Sequence, residues 1–361
     1  MVRAAVFHET GQDKVDLRDD MEVIGPGPGQ VKVRIRATGV CHSDLSAVNG
    51  TLPQPPPCVL GHEGAGEVAE LGEGVQGLAV GDRVIISFSP PCGACTSCVK
   101  GSPQLCLTHL INSMGSPHFR AGGTDYFAMA GIGTFVEETI LPPSALVKVS
   151  EDVPFEVGAL IGCGVMTGVG SVLNVAKVRP GDSVAIVGCG GVGISVVQGA
   201  VVAGASQIVG IDLVEQKLSW AKQFGATHAV TPDDADALKN ELTANEGFDH
   251  VFDVVGSSRT IRTAYDLTRR GGQTIIVGVG RMEDVVSFNA FELWFNDRTI
   301  IPSTYGGADV RTDFHRIVEL WRAGRLDIEG MISSRLQLED INDAFAAMQA
   351  GEVIRQVITF D

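Results

Sequence analysis

The sequence predicts an α/β chain in three stretches. Residues 1–164 form a β-rich domain, 165–302 a doubly wound domain around a parallel sheet, and 303–361 a closing segment that returns to the first domain. Three observations carry this. A length of 361 residues suits two cores rather than one. From Ser183 onward, short continuous apolar runs alternate with stretches of helical spacing, the pattern of strands covered on both faces. The chain closes on "RQVITF", a strand-like run after mixed structure, which suits a tail that folds back.

In the first domain "QVKVRIRATGV" (30–40) alternates apolar and basic residues, as a half-buried strand does. "GDRVIISF" (81–88) reads as a strand after a Gly-Asp turn, and "GTFVEETILP" (133–142) as another. Prolines at 53–57 and 142–143 mark loops. The run "NSMGSPHFRAGGTDYFAMAGIG" (112–133) reads as one long loop. In the second domain the strands are 183–188, 207–212, 227–231, 250–255, 273–278 and 299–304. Segments such as "VEQKLSWAKQFGA" (214–226) have helical spacing and a closing glycine.

A formal net charge of −16 argues against nucleic acid or an anionic membrane as partner, since both demand basic patches. No apolar run is expected to reach membrane-spanning length. The N-terminus turns charged too early for a signal-peptide core, so the chain is expected in the cytoplasm. In that reducing compartment its eight cysteines read as metal ligands, catalytic groups or small buried residues rather than disulfides.

"VAIVGCGGVG" carries Gly188, Gly190 and Gly193 in a G-x-G-x-x-G arrangement, after a strand and before an apolar helix. In that context the glycines give a tight turn, close approach of a pyrophosphate, and close helix–strand packing. Unpaired N–H groups at the helix start, around Gly191 and Val192, favour the anion. Asp212 lies at the end of the next strand, nineteen residues past Gly193. A carboxylate there accepts ribose hydroxyls and repels a 2′-phosphate, which favours NAD over NADP. Lys217 is a further candidate for the same ribose edge.

"CGACTSCVKGSPQLC" supplies Cys92, Cys95, Cys98 and Cys106. Four thiolates from one loop suit a closed structural zinc site, the alternatives being an iron–sulfur cluster or a redox pair. Cys41 precedes His42, Ser43 and Asp44; His62 and Glu63 stand among glycines in "LGHEGAGEV"; Cys163 lies in "LIGCGVMTGVG".

These stretches, in this order and together with "IRQVITF", resemble the zinc-dependent medium-chain alcohol dehydrogenases along essentially the whole chain. The resemblance implies a GroES-like catalytic domain joined to a Rossmann domain, NAD as cofactor, and two zinc ions per chain. It implies a catalytic zinc on Cys41, His62 and Cys163, with Ser43 taking the alcohol proton, Asp44 orienting His62 and Glu63 standing behind the metal. It places His42 and Arg355 near the pyrophosphate, and Thr167, Val192 and Val279 at the nicotinamide. Leu52, Phe88, Leu110, Phe135 and Val279 are implied as pocket walls. The 112–133 loop is long enough to close over that pocket. Related formaldehyde dehydrogenases hold a glutathione adduct with an acidic residue and an arginine; the matching positions here are Leu52 and Leu110. This points to an apolar or aromatic primary or secondary alcohol. The alternatives are a thiol-adduct formaldehyde dehydrogenase, an enzyme that keeps its NAD through turnover, or a zinc- and NAD-binding sensor without turnover. Well-studied members carry a histidine five residues after the first cysteine ligand, where this chain has Ser46. The resemblance also implies a homodimer or homotetramer paired near "TIIPST" (299–304).

Overall fold

The computed structural model describes residues 1–113 and 115–360. Their contacts divide the chain into two compact units, the first made of Met1–Gly164, Asp309–Glu319 and the residues from Ile328 onward. The second comprises Val165–Ala308 and Leu320–Asp327. The returning tail is therefore interrupted, because residues 320–327 belong with the second unit, and the boundary expected after 302 lies after Ala308.

The first unit combines a closed barrel with an open sheet. The barrel takes strands Val2–Phe7, Asp16–Val23, Phe119–Ala121, Thr124–Ala128 and Cys58–Val59. The open sheet is ordered Leu146–Lys148, Arg83–Ile86, Gly64–Leu71, Val31–Val40, Arg355–Thr359, Ile332–Leu336, and Glu138–Leu141 also pairs with Val31–Val40. The C-terminal strand runs antiparallel to Val31–Val40, with Val357 opposite Gly39. This pairing carries Arg355 to the end of the strand that leads into Cys41.

The stretch 112–133 is not one loop. Phe119–Ala121 and Thr124–Ala128 form a hairpin whose turn residues, Gly122 and Gly123, both have positive φ (55° and 82°). Two consecutive positive φ values are what a tight two-residue hairpin needs, and glycine adopts them without strain. Met114, within this stretch, lies outside the described residues.

One helical run, Phe155–Ala176, is long and apolar enough by length and composition to cross a membrane, which corrects the expectation that no run reaches that length. It is a core element here: 78 % of its apolar window is buried. Its first turn and a half, Phe155–Leu160, packs on strands Val31–Val40 and Gly64–Leu71. The run is not regular. Ile161–Val165, which contains Cys163, is a π-helical turn, and Ser171–Ala176 is another. Such insertions shift the phase of side chains along a helix and concentrate at functional sites.

The second unit is a six-stranded all-parallel sheet. Its order is His228–Val230, Gln207–Ile211, Ser183–Val187, Phe248–Asp253, Thr268–Ile276, Thr299–Pro302. The strand order reverses beside Ser183–Val187, whose C-terminal end leads directly into the glycine loop. Ligands of doubly wound sheets bind at such a switch point. Helix Gly191–Ala203 follows the loop, and helix Glu215–Gln223 follows the next strand, as its spacing predicts.

Candidate functional site

Cys41 ends the strand Val31–Val40 and caps the helix His42–Val48. Asp44, in the first turn of that helix, is fully buried. Its Oδ2 accepts the Cys41 N–H at 3.0 Å, and its Oδ1 accepts the Gly61 N–H at 3.2 Å. The same Oδ1 lies 2.9 Å from His62 Nδ1. Asp44 therefore caps its own helix and orients the histidine at once. A carboxylate only accepts when ionised, so Nδ1 carries the proton and Nε2 presents its lone pair.

His62 Nε2 is buried with no hydrogen-bond partner. A buried polar atom left open in this way marks a missing ligand. The ligand atoms of Cys41, His62, Glu63 and Cys163 all lie within 4.8 Å of one another, each residue buried. Cys163 arrives from the π-helical turn, Cys41 from the strand end, and His62 from the stretch just before strand Gly64–Leu71. Two thiols and an imidazole gathered around an unpartnered nitrogen fit a zinc ion.

The buried groups also shift one another's titration. A hydrogen bond from Cys163 holds the Cys41 thiol well below its ordinary pKa despite burial, with His62 adding to the effect. The Cys163 thiol is pushed up by the same hydrogen bond and by burial. Burial opposes charge on His62, but Asp44 and Cys41 outweigh it and raise its pKa. Burial raises the Asp44 carboxyl, opposed by His62.

Glu63 was expected behind the metal, yet one of its carboxylate oxygens belongs to the same 4.8 Å set. Its position next to His62 in sequence is the signal that brings it there. Burial raises its pKa to about 8, while Arg355 works the other way. Arg355, expected at the pyrophosphate, donates through Nη2 to Glu63 Oε2 and is only 5 % exposed. Two glycines make room for this buried pair. A Cβ at Gly39 would overlap Glu63 Oε2, and one at Gly164 would stand 2.8 Å from Arg355 Nη1. Ser43 is half-buried in the first turn of helix His42–Val48, and His42 is exposed beside it.

The four-cysteine loop forms a second set, with the sulfurs of Cys92, Cys95, Cys98 and Cys106 within 4.8 Å of one another. Backbone N–H groups point at these sulfurs. Cys92 Sγ accepts from Cys95 N at 3.3 Å, and Cys106 Sγ accepts from Cys92 N at 3.3 Å. A hydrogen bond from Thr108, then those from Ala94 and Cys95, bring the Cys92 thiol down to about 6. Four sulfurs already solvated by amides suit a closed zinc site. Disulfides are absent among the described residues.

In the second unit the three loop glycines divide the work. Gly188 has a φ of 99°, which an L side chain rarely adopts. A Cβ at Gly193 would lie 2.0 Å from Gly188 O, so this glycine lets the helix sit close to the strand. A Cβ at Gly190 would meet nothing within 4 Å, which leaves an open cradle at the start of helix Gly191–Ala203. That cradle fits a pyrophosphate. Asp212 accepts the Cys189 N–H at 2.8 Å and the Val214 N–H at 3.0 Å, so it also fastens the loop to the neighbouring strand. Lys217, on helix Glu215–Gln223, is close enough to the loop for its charge to act on Cys189. Gly168, next to Thr167 in the chain, packs against the Val192 carbonyl, where a Cβ would come within 2.7 Å.

The implied pocket walls differ in exposure. Phe88 is half-buried and stands edge-on to His62, with ring centroids 5.8 Å apart. Leu52 is half-buried, Leu110 is exposed on the short helix Leu107–Asn112, and Val279 is exposed in the second unit. Phe135 differs from expectation: it is fully buried against Phe345 in the core and has no surface to offer a ligand.

Replacing Asp44 by Asn is expected to weaken zinc at the Cys41–His62–Cys163 set about ten- to hundredfold, because the amide cannot accept all three bonds. Competition with a chelator measures this, and an unchanged affinity would show that Asp44 serves only as a helix cap.

Comparison with known proteins agrees with this geometry. An alcohol dehydrogenase GroES-like domain matches residues 27–151, and a zinc-binding dehydrogenase domain matches 191–322. An S-(hydroxymethyl)glutathione dehydrogenase of Paracoccus denitrificans is 39 % identical over 99 % of both chains. An alcohol dehydrogenase class-3 of Cereibacter sphaeroides is 38 % identical, again over 99 % of both. The crystal structure of benzyl alcohol dehydrogenase from Acinetobacter calcoaceticus superposes with a TM-score of 0.92 at 30 % identity, covering 100 % of this chain and 99 % of that one. With both metal-ligand sets, the glycine loop and these likenesses in register, the chain belongs to the zinc-dependent medium-chain alcohol dehydrogenases, oxidoreductases that move hydride between an alcohol and a nicotinamide cofactor.

Proposed function

We propose that this enzyme oxidises an apolar, preferably aromatic, alcohol with NAD and reduces the matching aldehyde or ketone in reverse. The observation that carries the substrate class is the pair Leu52 and Leu110, neither of which can pair with the charges of a glutathione adduct. Asp212 at the end of strand Gln207–Ile211 supports NAD, since its charge opposes a 2′-phosphate.

In this reading Cys41, His62 and Cys163 hold the catalytic zinc, and Cys92, Cys95, Cys98 and Cys106 the structural one. Zinc when bound supplies Lewis-acid polarisation of the substrate oxygen, and NAD supplies the hydride acceptor. The chain's own residues do the rest. Asp44 keeps Nε2 of His62 as the ligating atom. Arg355 binds the second oxygen of Glu63, which limits the negative charge beside the two thiols. Ser43 Oγ would accept the alcohol proton while giving up its own hydroxyl proton toward the cofactor ribose hydroxyls and solvent water, so the hydroxyl is neutral before and after the step. Ser46 lies on the same face of the helix, one turn on, and passes no proton at neutral pH by titrating.

The second reading, a thiol-adduct formaldehyde dehydrogenase, is favoured by the name of the Paracoccus relative above. A panel followed by NADH absorbance separates them. Benzyl alcohol with NAD is expected to outperform formaldehyde with glutathione, and the reverse order would overturn the substrate assignment.

The proton path gives a second expectation. The pH–rate profile of alcohol oxidation lacks a histidine-type step, and Ser46→His is expected to install one near the ordinary imidazole range, roughly pH 6.5. An unchanged profile would remove Ser46 from the path.

We also propose a dimer paired through the second unit. Thr299–Pro302 is an edge strand of the parallel sheet, and the short helix Ala290–Asn296 carries Phe291 (66 % exposed) and Trp294 (76 % exposed). An unpaired edge with exposed aromatics in the same unit suits a second copy of the chain related by a two-fold axis. Sedimentation is expected to give a dimer or a higher even oligomer that Ile300→Pro dissociates; a wild-type monomer would overturn this.

A further inference from the structure

Phe88 stands against His62, so whatever fixes Phe88 shapes the substrate side of the metal centre. Strand Arg83–Ile86 has already ended there. Ser87 makes the last ladder bond, to Ala145 O at 2.8 Å, and the chain then runs toward Cys92. The Phe88 carbonyl is taken instead by a ring. His109 Nε2 lies 2.9 Å from Phe88 O. A carbonyl only accepts, so Nε2 is the donor.

His109 belongs to the four-cysteine loop. It sits on helix Leu107–Asn112, whose cap is Cys106, and its backbone N–H donates to Cys106 Sγ at 3.5 Å. One residue thus touches a structural sulfur through its backbone and the Phe88 carbonyl through its ring. The side chain is half-buried, and a Cβ at Gly131 would stand 3.6 Å from its Cε1. A second tie runs in parallel, from Ser89 Oγ to Gln104 O at 2.9 Å. With that tie kept, removing the imidazole loosens Phe88 without releasing the whole segment.

We propose that His109 is a positioning residue for the reaction, fixing Phe88 from the structural zinc loop so that the order of that loop is felt in substrate binding. The closed metal site, which offers no position to a substrate, then contributes to specificity through one imidazole. This rests on the alcohol dehydrogenase reading above. An imidazole with a merely structural role would affect stability alike for all substrates. A positioning role acts on KM for substrates that pack on the Phe88 ring, with little change in kcat.

The test is a double-mutant cycle on the zinc-loaded enzyme with His109→Ala, Phe88→Ala and the pair, together with His109→Gln. Steady-state kinetics with benzyl alcohol and ethanol is paired with calorimetric binding of benzamide, an aldehyde analogue, to the enzyme–NADH complex. His109→Ala is expected to raise KM for benzyl alcohol and the benzamide Kd roughly tenfold, with kcat changed less than about threefold and ethanol less affected. His109→Gln, which keeps a side-chain N–H of similar reach, is expected to recover most of the loss. In the Phe88→Ala background, His109→Ala is expected to add little. Effects that multiply across the cycle, or a benzamide Kd unmoved by His109→Ala, would overturn the link. Should His109→Ala fail to hold two zinc ions, His109→Asn, a shorter donor, is judged by the same criteria. A wild-type enzyme that turns over no alcohol would instead overturn the function itself, while an active wild type with a multiplicative cycle would overturn only the role of His109.

Discussion

Buried negative charge must be answered by buried positive charge, and the first unit is organised around that requirement. Cys41, Cys163 and Glu63 lie out of water around His62, and each favours a cation nearby. The protein supplies one itself: Arg355, which reaches Glu63 from the C-terminal strand. The remainder of the set is completed by a metal. The tail crosses back to pair with strand Val31–Val40, and this register sets the guanidinium beside Glu63. The glycines at 39 and 164 follow from the same need, since a methyl group at either would collide with the pair.

Asp44 imposes the second layer of order. One carboxylate receives two backbone N–H groups and the imidazole, and these come from two of the three sequence segments that supply ligands. Local helix capping and metal-site geometry are thus a single constraint. The π-helical turn at Ile161–Val165 solves the matching problem for Cys163. A regular α-helix would place residue 163 on a different azimuth; the wider turn re-phases it within an otherwise buried apolar helix.

The second unit works by different means. Its site is mainly backbone: a positive-φ turn at Gly188, an open cradle at Gly190 and a close packing contact at Gly193. Asp212 fixes the loop through two N–H bonds, so the carboxylate proposed to favour NAD also holds the loop. Specificity and architecture share one carboxylate here, as they share Asp44 in the first unit. The four-cysteine loop follows the same logic, its sulfurs gathering amide donors from their own turn before any ion is considered.

The six strands of the parallel sheet, the glycine loop and the four-cysteine loop were legible in the sequence because each is local. A continuous apolar run, a G-x-G-x-x-G spacing or four cysteines within fifteen residues determines its own geometry over a few residues. The hairpin Phe119–Ala128 and the irregular helix Phe155–Ala176 were harder to read. The first hides among glycines and polar residues, and the second has no periodic polar face because it is buried all round. Only the tertiary structure decided that Arg355 turns to Glu63, that Phe135 closes into the core and that His109 reaches Phe88. These facts join positions far apart along the chain, and a distance between remote side chains is a property of how strands pair and helices pack, which no short stretch of sequence contains.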